Sequence, residues 1–407
     1  MDNTVRAGAA LWTTITTERQ CGDSLSPMTR TPLLRPTLLP GIPRIWRGSH
    51  TLQLGLDPGR AILLELPDPR TAGLLDLLDG TRPERVVLAR AAALGVPPDE
   101  ARAFLDALHT TGYVLAGGNL LPAALPPDTR DRLSGEAAAL ALRRTGPPPR
   151  GAVPPAPSPA RTLRRRAAAQ VVVAGRGRLG APIAVALATA GVGHVAADLP
   201  GRVSRADLPG SPLTGADIGT SWRAAVADAV CRAAPETRTG PVRRGQATLV
   251  VQLGHDQPAA LVAAAHAARR QAHLCVTVQD GVAIVGPLVP PAGGPCLNCL
   301  DLHRRERDSG WPGSAAGPGA AEPCAVTTLL AATAYATAEA LTYLDGGTPE
   351  TLGRAVEITA PGRIRRRTWP PHPDCGCTRT RGGRRTPAGR DSARPEPGRD
   401  PAPAGTR

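Results

Sequence analysis

The sequence predicts an α/β protein whose larger part is a doubly wound sheet, preceded by a small winged-helix-like α+β unit. Three observations predict it. Between 171 and 278, short apolar runs alternate with helical patterns, as they must when crossover helices join parallel strands. Gly175, Gly177 and Gly180 follow the first of those runs directly and open a helical pattern. Ahead of them, three strand-like runs at 42–46, 51–54 and 61–66 precede three helical patterns at 69–78, 83–94 and 98–111.

Residues 1–27 show no sustained period and are expected to be a disordered extension, with Met28 an alternative start of translation. The unit at 28–125 begins with the three strands, whose turns at 47–49 and 57–59 contain Gly48 and the pair Pro58 and Gly59. In the third helix Asp99 offers an N-cap, and Phe104, Leu105 and Leu108 form an apolar face. A short strand at 113–115 closes the unit. Residues 126–166 are expected to be a linker with one helix at 129–144, followed by a Pro/Gly/Ala stretch in the polyproline regime. The unit at 167–377 carries apolar strands at 171–174, 194–197, 247–253 and 274–278, a clear helix at 258–270 and a long Ala-rich helix at 326–344. Asp345, Gly346 and Gly347 end that helix, and 378–407 is expected to be a disordered tail.

Composition narrows the function. Aromatics are 2% of the 407 residues, so the core must be built from Ala, Val and Leu. The chain has no Lys, which excludes lysine-dependent catalysis. Its net charge of +14 is concentrated at two places. Residues 143–166 hold seven Arg and no acid, and 377–407 hold eight Arg against three acids, so twelve of the fourteen charges lie there. Both stretches are Pro/Gly-rich, which favours solvated tails over a nucleic-acid groove. No apolar run reaches the roughly 20 residues of a membrane helix, and the start lacks a secretory pattern. A cytoplasmic protein is expected, whose cysteines serve metal binding or catalysis rather than disulfides.

The chemistry-bearing residues fall into three groups. Gly175, Gly177 and Gly180 make G-x-G-x-x-G between strand and helix: a tight turn, close approach of a phosphate, and helix–strand packing. Asp198 ends the next strand, where an acid can hold a ribose, so a nucleotide is the expected ligand. Cys296 with Cys299, and Cys375 with Cys377, are short-spaced pairs on Pro/Gly-rich knuckles, suited to one structural Zn²⁺ held by four thiolates. His303 and His372 lie near enough in sequence to substitute, and a redox pair is the competing reading. Cys324 stands just before the long helix, where a thiolate is stabilised; a small buried thiol is the plainer alternative. Cys231 and Cys275 fall in apolar patterns and are expected in the core.

From 171 to 377 the order of these features resembles the ThiF/MoeB/HesA adenylyltransferases, relatives of the enzymes that activate ubiquitin-like modifiers. The resemblance implies a ThiF-type Rossmann sheet that binds ATP with Mg²⁺, adenylates a peptide carboxylate and releases pyrophosphate. By position, Gly175, Gly177 and Gly180 would cradle phosphates, Asp198 would hold the ribose and Asp256 the magnesium. Cys324 would receive the activated carboxylate. The pattern departs from the family at 207–210, where an Arg-Gln segment is usual, and near 217–223, where a catalytic Lys is usual. Arg223 is the nearest cation to the missing Lys, and the Arg usual after the Asp256 position is also absent. Residues 39–115 resemble the PqqD-like element of ribosomal-peptide maturation, through Trp46, 55–60 and 74–80. Such elements, fused to a ThiF-like domain, are leader-peptide-binding proteins of azole-forming (TOMM) synthetases.

Together these imply an ATP-dependent adenylyltransferase-like protein acting on a peptide or small protein carrier. A partner synthetase and a homodimer fit that reading. The alternative is a catalytically silent scaffold that delivers a leader peptide to a partner cyclodehydratase. A winged-helix regulator or an NAD-dependent oxidoreductase would share single features, but the paired cysteines serve neither.

Overall fold

The computed structural model describes residues 13–16, 31–143, 157–243, 246–313 and 322–379. Most of the stretches expected as an extension (1–27) and a tail (378–407) lie outside them. Within the former, Thr13–Thr16 forms a strand, β1.

The first unit builds from β2 (Pro36–Leu38), β3 (Arg44–Trp46), β4 (Thr51–Leu54) and β5 (Ile62–Glu65). β3, β4 and β5 form an antiparallel meander. β1 lies parallel on the outer edge of β5, Thr13 opposite Ile62 through Thr16 opposite Glu65. A 3₁₀ helix, Pro69–Leu77, is started by the Asp68 side chain, which accepts from the Arg70 N–H. α1 (Glu84–Ala93) and α2 (Pro98–Thr110) follow, and β6 (Val114–Ala116) pairs back onto β2. Phe104, Leu105 and Leu108 of α2 are fully buried against Leu54, Leu64 and Leu74, so the expected apolar face is the core. After the short α3 (Gly117–Leu120), α4 (Pro127–Leu142) is the helix expected within the linker stretch, and it packs into a core of its own. Its Leu133, Ala137 and Ala141 form a small core with Leu39, Leu120 and Leu163.

α5 (Pro159–Ala168), capped by Ser158, leads into the large sheet. β7 (Gln170–Ala174), β8 (His194–Asp198), β9 (Leu249–Gln252) and β10 (His273–Gln279) are parallel, with β7 between β8 and β9. Crossovers α6 (Gly180–Thr189), α7 (Trp222–Ala233) and α8 (Ala259–Ala268) join them. Three antiparallel strands, absent from the sequence expectation, extend the sheet: β11 (Val282–Val289), β12 (Arg354–Ala360) and β13 (Arg363–Thr368). The β10–β11 turn needs positive φ at two successive residues, and Asp280 (51°) and Gly281 (82°) supply it. The order is β13-β12-β11-β10-β9-β7-β8, a mixed Rossmann-like sheet. α9 (Leu297–Arg307), α10 (Val326–Leu344) and the terminal turn α11 (Gly376–Arg379) complete the fold. The core on the α6, α7 and α10 face is almost wholly Val, Leu, Ile and Ala, as the scarcity of aromatics requires. Cys275 is buried, but Cys231 is exposed: it lies at the C-terminal end of α7, on the side turned from the sheet.

Arg166 joins these parts. Its guanidinium donates to Asp345 at the end of α10 (2.8 and 2.7 Å), to Glu136 on α4 (2.6 Å) and to the Ala190 carbonyl after α6 (3.0 Å). The residue is 1% exposed. Arg166→Met is expected to leave two carboxylates facing an uncharged buried site and to lower stability by about 3–5 kcal/mol. Urea denaturation followed by tryptophan fluorescence measures this; a loss below about 1 kcal/mol would show that the cluster is not structural.

Candidate functional site

The chain reverses direction across the sheet between β7 and β9, because β8 is reached on one side of β7 and β9 on the other. Ligands of doubly wound sheets sit at such a switch point, beyond the carboxyl ends of the strands. Here a cavity of about 540 Å³ lies beside the ends of β7, β8 and β9, bordered by Gly175, Arg176, Asp198 and Asp256.

The glycine loop is shaped by close contacts. Gly175 has φ of +103°, and a Cβ on it would stand 2.6 Å from the Gly254 carbonyl, so the loop lies against the end of β9. The Arg176 N–H donates to that same carbonyl at 2.7 Å. A Cβ on Gly180 would meet Leu199 and Leu253 at 3.0 Å, the tight helix–strand packing expected of the third glycine. At Gly177, φ +139°, the space is filled differently: a Cβ would lie 2.7 Å from Oε1 of Glu322. Glu322 also accepts the Arg178 N–H at 2.8 Å.

The carboxylates of the site are already partnered. Asp198, the last residue of β8, accepts from Arg223 Nη2 at 2.9 Å, and both side chains are more than half exposed. Arg223 thus meets the cavity through Asp198 and does not line it. Asp256 accepts from Arg176 Nε at 2.7 Å. Beneath them His266 stacks on His273 with ring centroids 4.1 Å apart. Burial pushes the His266 imidazole down to about 3, so it is neutral near pH 7 and its Nε2–H donates to Gln252 Oε1 at 3.1 Å. Gln252 in turn donates to the Leu253 carbonyl at 3.1 Å.

Sequence reasoning missed Arg176, Arg243 and Arg269, which all line this cavity. Arg176 was open to inspection, standing inside the glycine motif itself. Arg269 sits at the end of α8, and nothing local marks it. Gly177, Gly180 and Cys324 lie outside the cavity lining, toward α10. The Cys324 thiol donates to the Ala325 carbonyl at 3.6 Å, and burial raises its pKa, opposing the thiolate expected at a helix start.

The second site is a cluster of four cysteines. Cys296 and Cys299 flank the first turn of α9, and Cys375 and Cys377 stand on the turn at α11. The four sulfurs lie within 4.8 Å of one another. Cys296–Cys299 is 3.8 Å, Cys296–Cys375 is 3.6 Å and Cys299–Cys377 is 3.3 Å. A tetrahedron with metal–sulfur bonds of about 2.3 Å has edges of about 3.8 Å, so the residues fit a thiolate-bound ion. Asn298 Nδ2 donates to Cys375 Sγ at 3.3 Å, the kind of outer hydrogen bond that orients a ligand. Burial first, then its sulfur neighbours, pushes Cys377 up to about 12, so a metal cation is what would let every sulfur ionise. His303 and His372 stand beside the cluster but bond elsewhere. His372 Nε2 stands 2.8 Å from Glu306 Oε1, and His303 Nε2 donates to the Pro370 carbonyl at 3.0 Å.

No family model and no curated protein matches the sequence. Solved structures do. The chain is similar to E. coli MccB with bound ATP (TM-score 0.52, 16% identity, 84% of this chain and 99% of that one). It is also similar to the microcin C7 biosynthetic enzyme MccB in complex with N-formylated MccA (0.50, 15%, 84% and 99%). A third similar structure is selenomethionine PaaA (0.55, 13%, 81% and 98%). At these identities the likeness establishes the fold, and it runs through both the small unit and the large sheet.

The cysteine geometry carries its own test. Purified protein is expected to hold about one thiophilic metal ion per chain by elemental analysis. Changing Cys296 and Cys299 to Ser should release it and unfold the segment around α9 and α11. Full occupancy in that double variant would remove the assignment.

Proposed function

We propose that the protein is an ATP-binding, adenylyltransferase-like enzyme of peptide maturation. The observation that carries this reading is the cavity at the switch point, lined by the glycine loop, two acids and three arginines. Support comes from the shared fold: structures of MccB hold ATP in one case and N-formylated MccA in another. In the proposed reaction a peptide carboxylate oxygen attacks the α-phosphorus of ATP, the bond to the β-phosphate breaks, and pyrophosphate leaves. Asp198 would bind the ribose once Arg223 turns away from it. A magnesium ion, neutralising phosphate charge, would be held by Asp256, since such sites need only one or two protein carboxylates. With no Lys in the chain, Arg176, Arg243 and Arg269, which line the cavity, would supply positive charge to stabilise the developing charge. An arginine is not a lysine in shape, so modest turnover is expected. The metal of the cysteine cluster is proposed to be structural zinc, because four thiolates leave no open position for substrate.

The measurement is pyrophosphate exchange with candidate peptides, alongside thermal protection by nucleotides. ATP should protect more than NAD, because ligand binding stabilises by mass action. Asp198→Ala should abolish most of that protection, and Asp256→Ala should cut exchange by about 10²-fold or more. Protection by NAD alone would replace this reading with a dehydrogenase. Protection by ATP without exchange would favour the second reading, a silent scaffold that delivers a leader peptide to a partner cyclodehydratase; the observation behind it is the Glu322 carboxylate held beside the glycine loop, where a phosphate would compete with it.

For the small unit we propose capture of an extended peptide at a sheet edge. Its β5 edge already takes a strand, β1 of the same chain. Peptide binding by the protein should vary little with salt, whereas duplex DNA would show a steep salt slope. Salt-sensitive DNA binding without peptide binding would make the unit a nucleic-acid reader.

A further inference from the structure

The N–H groups of a glycine loop between the first strand and helix of such a sheet are where an anion is held. In this protein an anion is already there, and it belongs to the chain. Glu322 lies in the short segment before α10, and its half-buried carboxylate enters the space that the missing side chain of Gly177 leaves open. Oε1 and Oε2 stand 2.7 and 3.1 Å from where a Cβ of Gly177 would be. The Arg178 N–H donates to Oε2 at 2.8 Å. The same arginine holds the segment a second time: Arg178 Nη1 donates to the Cys324 carbonyl at 3.1 Å, while its Nη2 donates to the Pro209 carbonyl at 2.9 Å. Desolvation raises the Glu322 pKa, so burial here works against its charge, and what opposes that is the loop N–H and the nearby Arg178. Gly177 and Glu322 stand beside the cavity lined by Gly175 and Arg176, so a phosphate that reaches from that cavity to the next N–H groups of the loop meets this carboxylate.

We propose that Glu322 is the specificity-determining residue of the glycine loop, an intramolecular anion that a ligand phosphate must displace. The inference rests on the nucleotide reading for the identity of that ligand, but not for the displacement itself. Two anions cannot share one N–H, and a tethered carboxylate competes at a high effective concentration. A monoanionic or weakly held ligand is therefore refused, and a polyphosphate is admitted. Displacement has a second effect, because Glu322 and Cys324 are two residues apart on one segment. Phosphate binding and exposure of the Cys324 thiol are coupled, each promoting the other.

The test uses the full chain and its Glu322→Gln and Glu322→Ala variants. Gln keeps the shape and removes the charge; Ala removes both. Binding of ATP, tripolyphosphate and adenosine is measured by calorimetry, and alkylation of Cys324 by iodoacetamide is read by peptide mass spectrometry. Both variants should bind tripolyphosphate and ATP at least tenfold more tightly than the natural chain, with adenosine unchanged. Cys324 should alkylate faster in the unliganded variants, and in the natural chain faster once tripolyphosphate is added. Tightened tripolyphosphate binding with no adenosine or ATP preference would uphold the displacement and overturn the nucleotide reading. Equal or weaker polyphosphate affinity in a folded Gln variant, or no polyphosphate affinity in any of the three, would show that Glu322 only braces the segment. If the Ala variant does not fold, the Gln variant and the alkylation rates decide alone.

Discussion

The structure depends on one buried charge. Arg166 closes the helix that precedes the sheet, and its guanidinium reaches three other elements: α4 through Glu136, the end of α6 through Ala190, and the end of α10 through Asp345. A buried cation is tolerable only if its donors are met, and here the partners come from segments far apart in sequence. The small unit is therefore not merely tethered to the large one. α4 continues its core on one side, through Leu133 and Leu39, and meets the large sheet's helices on the other, where Arg132 donates to the Thr189 carbonyl at 2.7 Å.

With the two units joined there, the strand ends are left to form the site. The positions of Asp198 and Asp256 follow from β7 lying between β8 and β9, since each acid is at or just past the end of a strand on either side of the glycine loop. The anionic groups in and beside the site are satisfied within the chain: Asp198 by Arg223, Asp256 by Arg176 and Glu322 by the loop N–H. The two ion pairs are exposed enough to be worth little, so a ligand can replace them at small cost. Arginine suits this double use, because its planar fork serves a carboxylate or a phosphate equally well. A chain without lysine would have to build its cationic site in this way.

The far end of the sheet solves a different problem. β13 is an edge strand, and its run of arginines discourages pairing with another strand. Arg365 and Arg367 flank Glu357 of the neighbouring β12, and Arg366 bonds Glu350. These antiparallel strands also carry the chain from α10 back toward α9, which is how Cys375 and Cys377 come to face Cys296 and Cys299.

Much was legible in the sequence because local spacing encodes local geometry. The glycine motif between an apolar strand and a helix could hardly be anything but a strand–turn–helix, and Asp198 fell at the end of the next strand by length alone. The apolar face of α2 followed from Phe104, Leu105 and Leu108. The β10–β11 hairpin has a local signal too, in Asp280 and Gly281 between apolar runs. Other features had no local signal. Arg269 lines the cavity because α8 packs where it does, Glu322 fills the glycine loop across 144 residues of chain, and Arg166 finds Asp345 across 179. The sequence by itself determined which residue types could form a turn, a strand or a ligand pair, since those depend on neighbours a few positions apart. Only the tertiary structure decided which carboxylate meets which arginine and which thiols share one centre, because the order of strands in the sheet, not spacing along the chain, sets those distances.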